Sequence, residues 1–100
     1  MQILITARHT DVPDALRART EEMLEKLGRL AHRAVRAEAI FDAAHQQHVV
    51  ELHMQLPRSQ LLVAKGEAPE FRTALDRAVE KLRVQIEKET GRMQDQVKAG

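Results

Sequence analysis

The chain reads as a single α+β domain in the order β-α-β-β-β-α, a four-stranded mixed sheet with two helices packed on one face. Three observations lead there. Two long segments repeat apolar residues at helical spacing, four short segments alternate apolar and polar residues, and the turns between the middle strands are too short for crossovers. The three consecutive strands therefore form an antiparallel meander, and the first strand returns parallel to its neighbour across the first helix.

The first strand spans Gln2 to Thr6, with Ile3 and Ile5 on one face and Gln2, Leu4 and Thr6 on the other, a pattern expected for a strand covered at least partly on both sides. Asp11, Val12 and Pro13 turn the chain into a helix, with Asp11 a candidate cap, Pro13 suited to the first turn and Asp14 favourable at the positive end of the dipole. This helix runs to about Gly28 or Ala31 and buries Leu16, Met23, Leu24, Leu27 and Leu30. Gly28 is either a frayed end or a close-packing point, since an interior glycine weakens a helix.

Arg36 to Ala43 alternates next, with Ala37, Ala39 and Phe41 toward the core. After a polar turn, Val50, Leu52, Met54 and Leu56 face the core, while Val49, Glu51, His53 and Gln55 face a solvated or contact surface. Pro57 to Ser59 turn the chain into Gln60 to Lys65, and Gly66 serves the turn from that strand into the last helix. That helix is expected from Pro69 to Gly91, burying Phe71, Leu75, Ala78, Val79, Leu82 and Ile86. Residues 1–92 then make one domain, and residues 93–100 a short frayed tail.

A length of 100 residues allows one modest core and no second domain. The absence of cysteine removes disulfides and thiolate metal sites. The opening MQILITARHTD lacks a secretory pattern and no apolar run approaches a membrane span, so a cytoplasmic protein without membrane partners is expected. Trp and Tyr are absent and Phe occurs twice, which removes the platforms that stack single-stranded bases. With 16 Lys and Arg against 15 Asp and Glu, attraction to an anionic partner must come from local patches.

Both helices sort their exposed charges. On the last, Arg77, Lys81, Lys88 and Arg92 line one side, apart from Asp76, Glu80 and Glu87. On the first, Arg19, Lys26, Arg29 and Arg33 share one arc, with Glu21, Glu22 and Glu25 mainly beyond it. A phosphate backbone can meet such rows without meeting the carboxylates, and side-by-side helices would bring two basic edges to one groove if those edges adjoin. The alternative is a solvated surface that keeps the protein soluble.

Other candidates carry less. His45, His48 and His53 suggest H-x-x-H and a further histidine, but two straddle a turn and no cysteine completes a zinc set, so surface histidines are expected and no metal. His9 and His32 fit loop or helix-end hydrogen-bonding groups, near phosphate or solvent, and neither has a nucleophile partner. Glu38 and Glu51 would face one another across the meander without a pocket to raise either pKa. No glycine-rich loop cradles a nucleotide. No enzyme activity, cofactor or small-molecule substrate is expected.

The order and spacing of several segments identify a family resemblance. They are MQILITARHTDVPDALR, Glu25-Lys26-Leu27, Glu51 to Pro57, Glu70 to Asp76 and Lys81 to Ile86. Across nearly its whole length the chain resembles the short form of the ribosome hibernation-promoting factor and ribosome-associated translation inhibitor family. The resemblance implies a fold like a double-stranded-RNA-binding domain. It also implies binding to the bacterial small ribosomal subunit near the messenger and transfer RNA sites, inhibition of translation, and stabilisation of idle ribosomes under stress. By matching position it implies ribosomal RNA contacts at Lys26, Arg29, Arg77, Lys81, Arg83 and Lys88. It implies no long-form domain for pairing ribosomes. Glu70-Phe71-Arg72 departs from the family's usual Asp-Met-Tyr, so Arg72 replaces a tyrosine. The competing expectations are a general structured-RNA binder and a small regulatory module that binds protein through its open sheet face.

Overall fold

Alternation and helical periodicity resolve into β1 (Gln2–Arg8), α1 (Asp14–Leu30), β2 (Arg36–Ala44), β3 (Gln47–Leu56), β4 (Gln60–Ala68) and α2 (Phe71–Ala99). The structure, a computed structural model, describes residues 1–44 and 46–99, with side chains as far as Glu89. The sheet order is β1-β2-β3-β4, with β1 parallel to β2 and the other neighbours antiparallel. This is the expected mixed sheet, with both helices on one face.

Register decides which side chains meet the helices. Ala37 pairs with Met54, Ala39 with Leu52 and Phe41 with Val50, and all six are buried. Continuing across the sheet, Met54, Leu52 and Val50 pair with Leu62, Ala64 and Gly66. Leu24 and Leu27 of α1 and Leu75, Leu82 and Ile86 of α2 close over this face. The helices approach closely because the β4 row shrinks from Leu62 through Ala64 and Gly66 to Ala68. A Cβ on Gly66 would meet the Ala74 carbonyl oxygen at 2.1 Å and the Ala78 nitrogen at 2.7 Å. Gly66 is thus a contact point inside β4, not the strand-to-helix turn expected of it, and β4 continues to Ala68 beyond Lys65.

Some other local expectations change for physical reasons. The far face of β1 is open, leaving Leu4 46% exposed, while Ile40 on that same face is buried beside Thr6 and Glu51. Leu30, the last residue of α1, is 38% exposed. Thr20 takes a core position instead, its hydroxyl satisfied by donating to the Leu16 carbonyl at 2.7 Å. Asp11 does not cap α1. The Pro13 carbonyl accepts the first helical bond from Arg17 at 2.9 Å, with no side-chain cap. Gly28 lies inside α1 with the Met1 thioether over it, 2.7 Å from where a Cβ would stand, so it is the close-packing point. Helix α2 begins at Phe71 rather than Pro69 and continues past Gly91.

Candidate nucleic-acid interface

The basic row of α1 turns toward the acidic side of α2. Arg19 donates through Nη2 to Asp76 Oδ1 at 3.0 Å, tying the two helices together. Its Nε is buried without a partner. Further along, Lys26 pairs with Glu22 at 3.4 Å on an exposed surface, where such pairs contribute little. Arg29 and Arg33 have no ion pair or hydrogen bond among the described residues.

The basic row of α2 lies on the opposite side of that helix, along the outer edge of β4. Arg77 donates to the Glu67 carbonyl at 2.6 Å and Lys81 to the Lys65 carbonyl at 2.9 Å. Gln85 extends the series to the Val63 carbonyl at 2.7 Å. The α1 and α2 basic rows therefore do not border a common groove, because Asp76 stands where α1 meets α2. Arg83 sits on the acidic side, held by Glu80 and Glu87. The hydrogen bond from Arg83, reinforced by its charge, holds the Glu80 carboxyl below its ordinary range. Glu80 in turn raises the Arg83 pKa. Lys88 is exposed and without a partner among the described residues, and the side chain of Arg92 lies outside them.

Charge is also segregated end to end, which periodicity along single helices did not expose. One end of the sheet gathers the start of β1, the C-terminus of α1, the start of β2 and the β3–β4 hairpin, since Val35 N–H donates to Gln55 at 2.8 Å and Arg36 pairs with Gln55. Segments 28–37 and 53–62 meet here and hold Arg29, Arg33, Arg36 and Arg58 without a single acidic residue. Arg36 and Arg58, absent from the sequence-derived set, have no ion pair or hydrogen bond among the described residues. The opposite end gathers Asp11, Asp14, Asp42, Glu67 and Glu70, and segments 9–14, 42–47 and 67–70 hold no Lys or Arg. There His9 Nδ1 lies 3.2 Å from Asp42.

Among the described residues, four of the six non-glycine residues with positive φ lie at the basic end and two, His9 and Gln46, at the other. His32 and Arg33 follow α1 with φ of 53° and 59°, and Arg58 and Ser59 occupy the hairpin tip with φ of 66° and 60°. Each non-glycine residue held in the left-handed region costs on the order of 1 kcal/mol. The first pair borders a cavity of about 510 Å³ whose wall includes Met1, Glu25, Gly28 and Arg29. A smaller one on the open sheet face, lined by Arg36, Glu38, His53, Gln55 and Leu61, lies on the other side of β2.

The remaining motifs are engaged elsewhere. Phe71 packs edge-on against Phe41, ring centroids 5.4 Å apart, and His48 packs edge-on against Phe71 at 4.4 Å. His53 Nε2 lies 3.0 Å from Glu51, and His45 lies outside the described residues. Among the described residues no group of three or more metal-ligating side chains comes together. Glu38 does not face Glu51. It pairs across β2 and β3 with His53 and accepts a hydrogen bond from the Thr6 hydroxyl at 3.0 Å. No helix among the described residues is long and apolar enough to cross a membrane.

Known proteins share this fold. A ribosomal subunit interface protein from Coxiella burnetii superposes with a TM-score of 0.84 at 24% identity, covering 91% of this chain and 99% of its own. The Protein Y N-terminal domain from Thermus thermophilus gives a TM-score of 0.77 at 27% identity, covering 88% of this chain and 98% of its own. No curated protein sequence matches the chain. The family model described as sigma 54 modulation protein / S30EA ribosomal protein matches residues 3–94, and the chain belongs to that family.

Proposed function

We propose that this protein is a non-enzymatic, cytoplasmic ribosome-binding factor. It docks on ribosomal RNA of the small subunit near the messenger and transfer RNA sites and blocks translation in idle ribosomes by occupying space those RNAs need. Residues 1–92 act as the binding domain. The observation that carries the reading is the basic end, where Arg29, Arg33, Arg36 and Arg58 have no ion pair or hydrogen bond among the described residues. Unpaired guanidinium groups on a rigid frame meet phosphates without first giving up other bonds, and counterion release supplies affinity without base reading. Family membership and the name of the Coxiella burnetii relative support a ribosomal partner.

Of the residues assigned from sequence, Arg29, Arg33 and Lys88 join this contact directly. Lys26 and Arg19 flank it and exchange surface ion pairs for phosphates at small cost. Arg77, Lys81 and Arg83 have competing partners within the fold. The test is salt-titrated cosedimentation with purified small and large subunits, with and without messenger and initiator transfer RNA. Small-subunit binding that those RNAs displace is expected. Equal binding to isolated duplex RNA would instead indicate a general structured-RNA binder, and no binding at low salt would overturn the reading.

A further inference from the structure

β4 is an edge strand of nine residues, and the outward side of an edge strand is a template for another strand. In this fold that side is occupied. The carbonyls of Val63, Lys65 and Glu67 point away from β3, and each accepts a hydrogen bond from α2, from Gln85, Lys81 and Arg77 respectively. Three consecutive outward carbonyls are thus met by one side-chain row. The other edge has no such cover, since among the described residues no side chain bonds the backbone of β1.

What the row covers is suited to a second copy of the same strand. Leu61 and Val63 on the open face and Val84 on α2 flank the edge and are 50%, 40% and 39% exposed. Two β4 strands brought together antiparallel about a two-fold axis at Gly66 place Lys65 of each copy opposite Glu67 of the other. Opposite charges directly across an antiparallel pair are stabilising, and isologous contact closes the assembly at two copies. Lys65 and Glu67 already attract within one chain, at 3.4 Å.

We propose that Arg77, Lys81 and Gln85 form a side-chain latch over a self-complementary docking strand, and that once the latch is removed β4 pairs with β4 of a second copy. This role is independent of RNA. It gives Arg77 and Lys81 a function in keeping the sheet edge closed, while the free arginines at the basic end meet phosphate.

The experiment is sedimentation equilibrium of wild type and of the triple variant R77A/K81A/Q85A across a wide concentration range, with far-UV circular dichroism to verify the fold. The wild type is expected at monomer mass and the triple variant at twice that mass as concentration rises. Adding K65P to the triple variant places a proline on the outward side inside the new pair, where it removes no bond to β3 but blocks a new strand, and returns the mass to that of a monomer. A folded triple variant that stays monomeric, or a dimer that survives K65P, overturns the proposal. Should the triple variant lose its fold, the single variant K81M, which keeps most of the side chain and removes the central bond, takes its place. Monomer mass at every concentration then overturns the proposal equally.

Discussion

Gly66 and Ala74 meet backbone to backbone, for a Cβ on the glycine would stand 2.1 Å from the alanine carbonyl oxygen. The oxygen belongs to the main chain of α2, so relief requires the whole helix to move. Gly66→Ala is expected to lower stability by about 3 kcal/mol or more, read as a fall in the urea midpoint at unchanged slope. Gly28→Ala is the contrast. Its obstacle is the end of the Met1 side chain, which swings aside, and the helix interior gains up to about 1 kcal/mol, so the variant should match or exceed wild-type stability.

Arg36 and Arg58 are expected to behave as phosphate contacts. Replacing either by Ala should reduce the slope of log affinity for the small subunit against log salt by about 0.9 while leaving the thermal midpoint in place. A slope unchanged in the double variant would remove the basic end from the interface.

The Arg83 hydrogen bond that holds Glu80 below its usual carboxylate range links stability to acidity. A carboxyl with a depressed pKa in the folded state stabilises the fold above its unfolded pKa, and that contribution is lost as pH falls through the folded value. Denaturation curves of wild type and Glu80→Gln should therefore differ at neutral pH and converge in acid. Because Glu80 is solvent-exposed, the neutral-pH difference should be small and should shrink with added salt.

Arg19 and Asp76 provide the polar tie between α1 and α2. A double-mutant cycle with R19A and D76A is expected to give a coupling energy of about 0.2–1 kcal/mol, as for other partly exposed pairs. The single change D76A should also raise affinity for RNA, since it frees a guanidinium and removes a carboxylate beside the α1 row.

Much of this architecture was legible in the residues. Alternation at Ala37, Ala39 and Phe41, and from Val50 to Leu56, fixed the buried face, since a shift by one residue would have exposed the whole set. Helical periodicity likewise placed Leu24, Leu27, Leu75, Ala78, Leu82 and Ile86 in the core, but not Thr20, and it put the exposed Leu30 there. The role of Gly66 is not legible in the sequence, because a lone glycine after Lys65 looks alike whether it bends the chain or admits a helix, and only the position of α2 distinguishes the two. Nor does sequence tell a solvated Lys81 from one bonded to a carbonyl sixteen residues earlier. Arg36 and Arg58 carry no helical signal because neither lies on an amphipathic helix; their mark in the sequence is the lack of any acid in 28–37 and 53–62.

The bonds between α2 and β4 set two rulers side by side. Four residues of helix advance about 6.0 Å, and two residues of strand about 6.7 Å, so successive bonds fall out of step by roughly 0.7 Å. Long, jointed side chains absorb that drift over two steps, and a much longer match would outrun their reach. The arrangement works as a vernier. Inserting one residue into α2 between Arg77 and Gln85 would rotate everything beyond it by about 100° and uncover part of the strand, though every donor remained in the sequence.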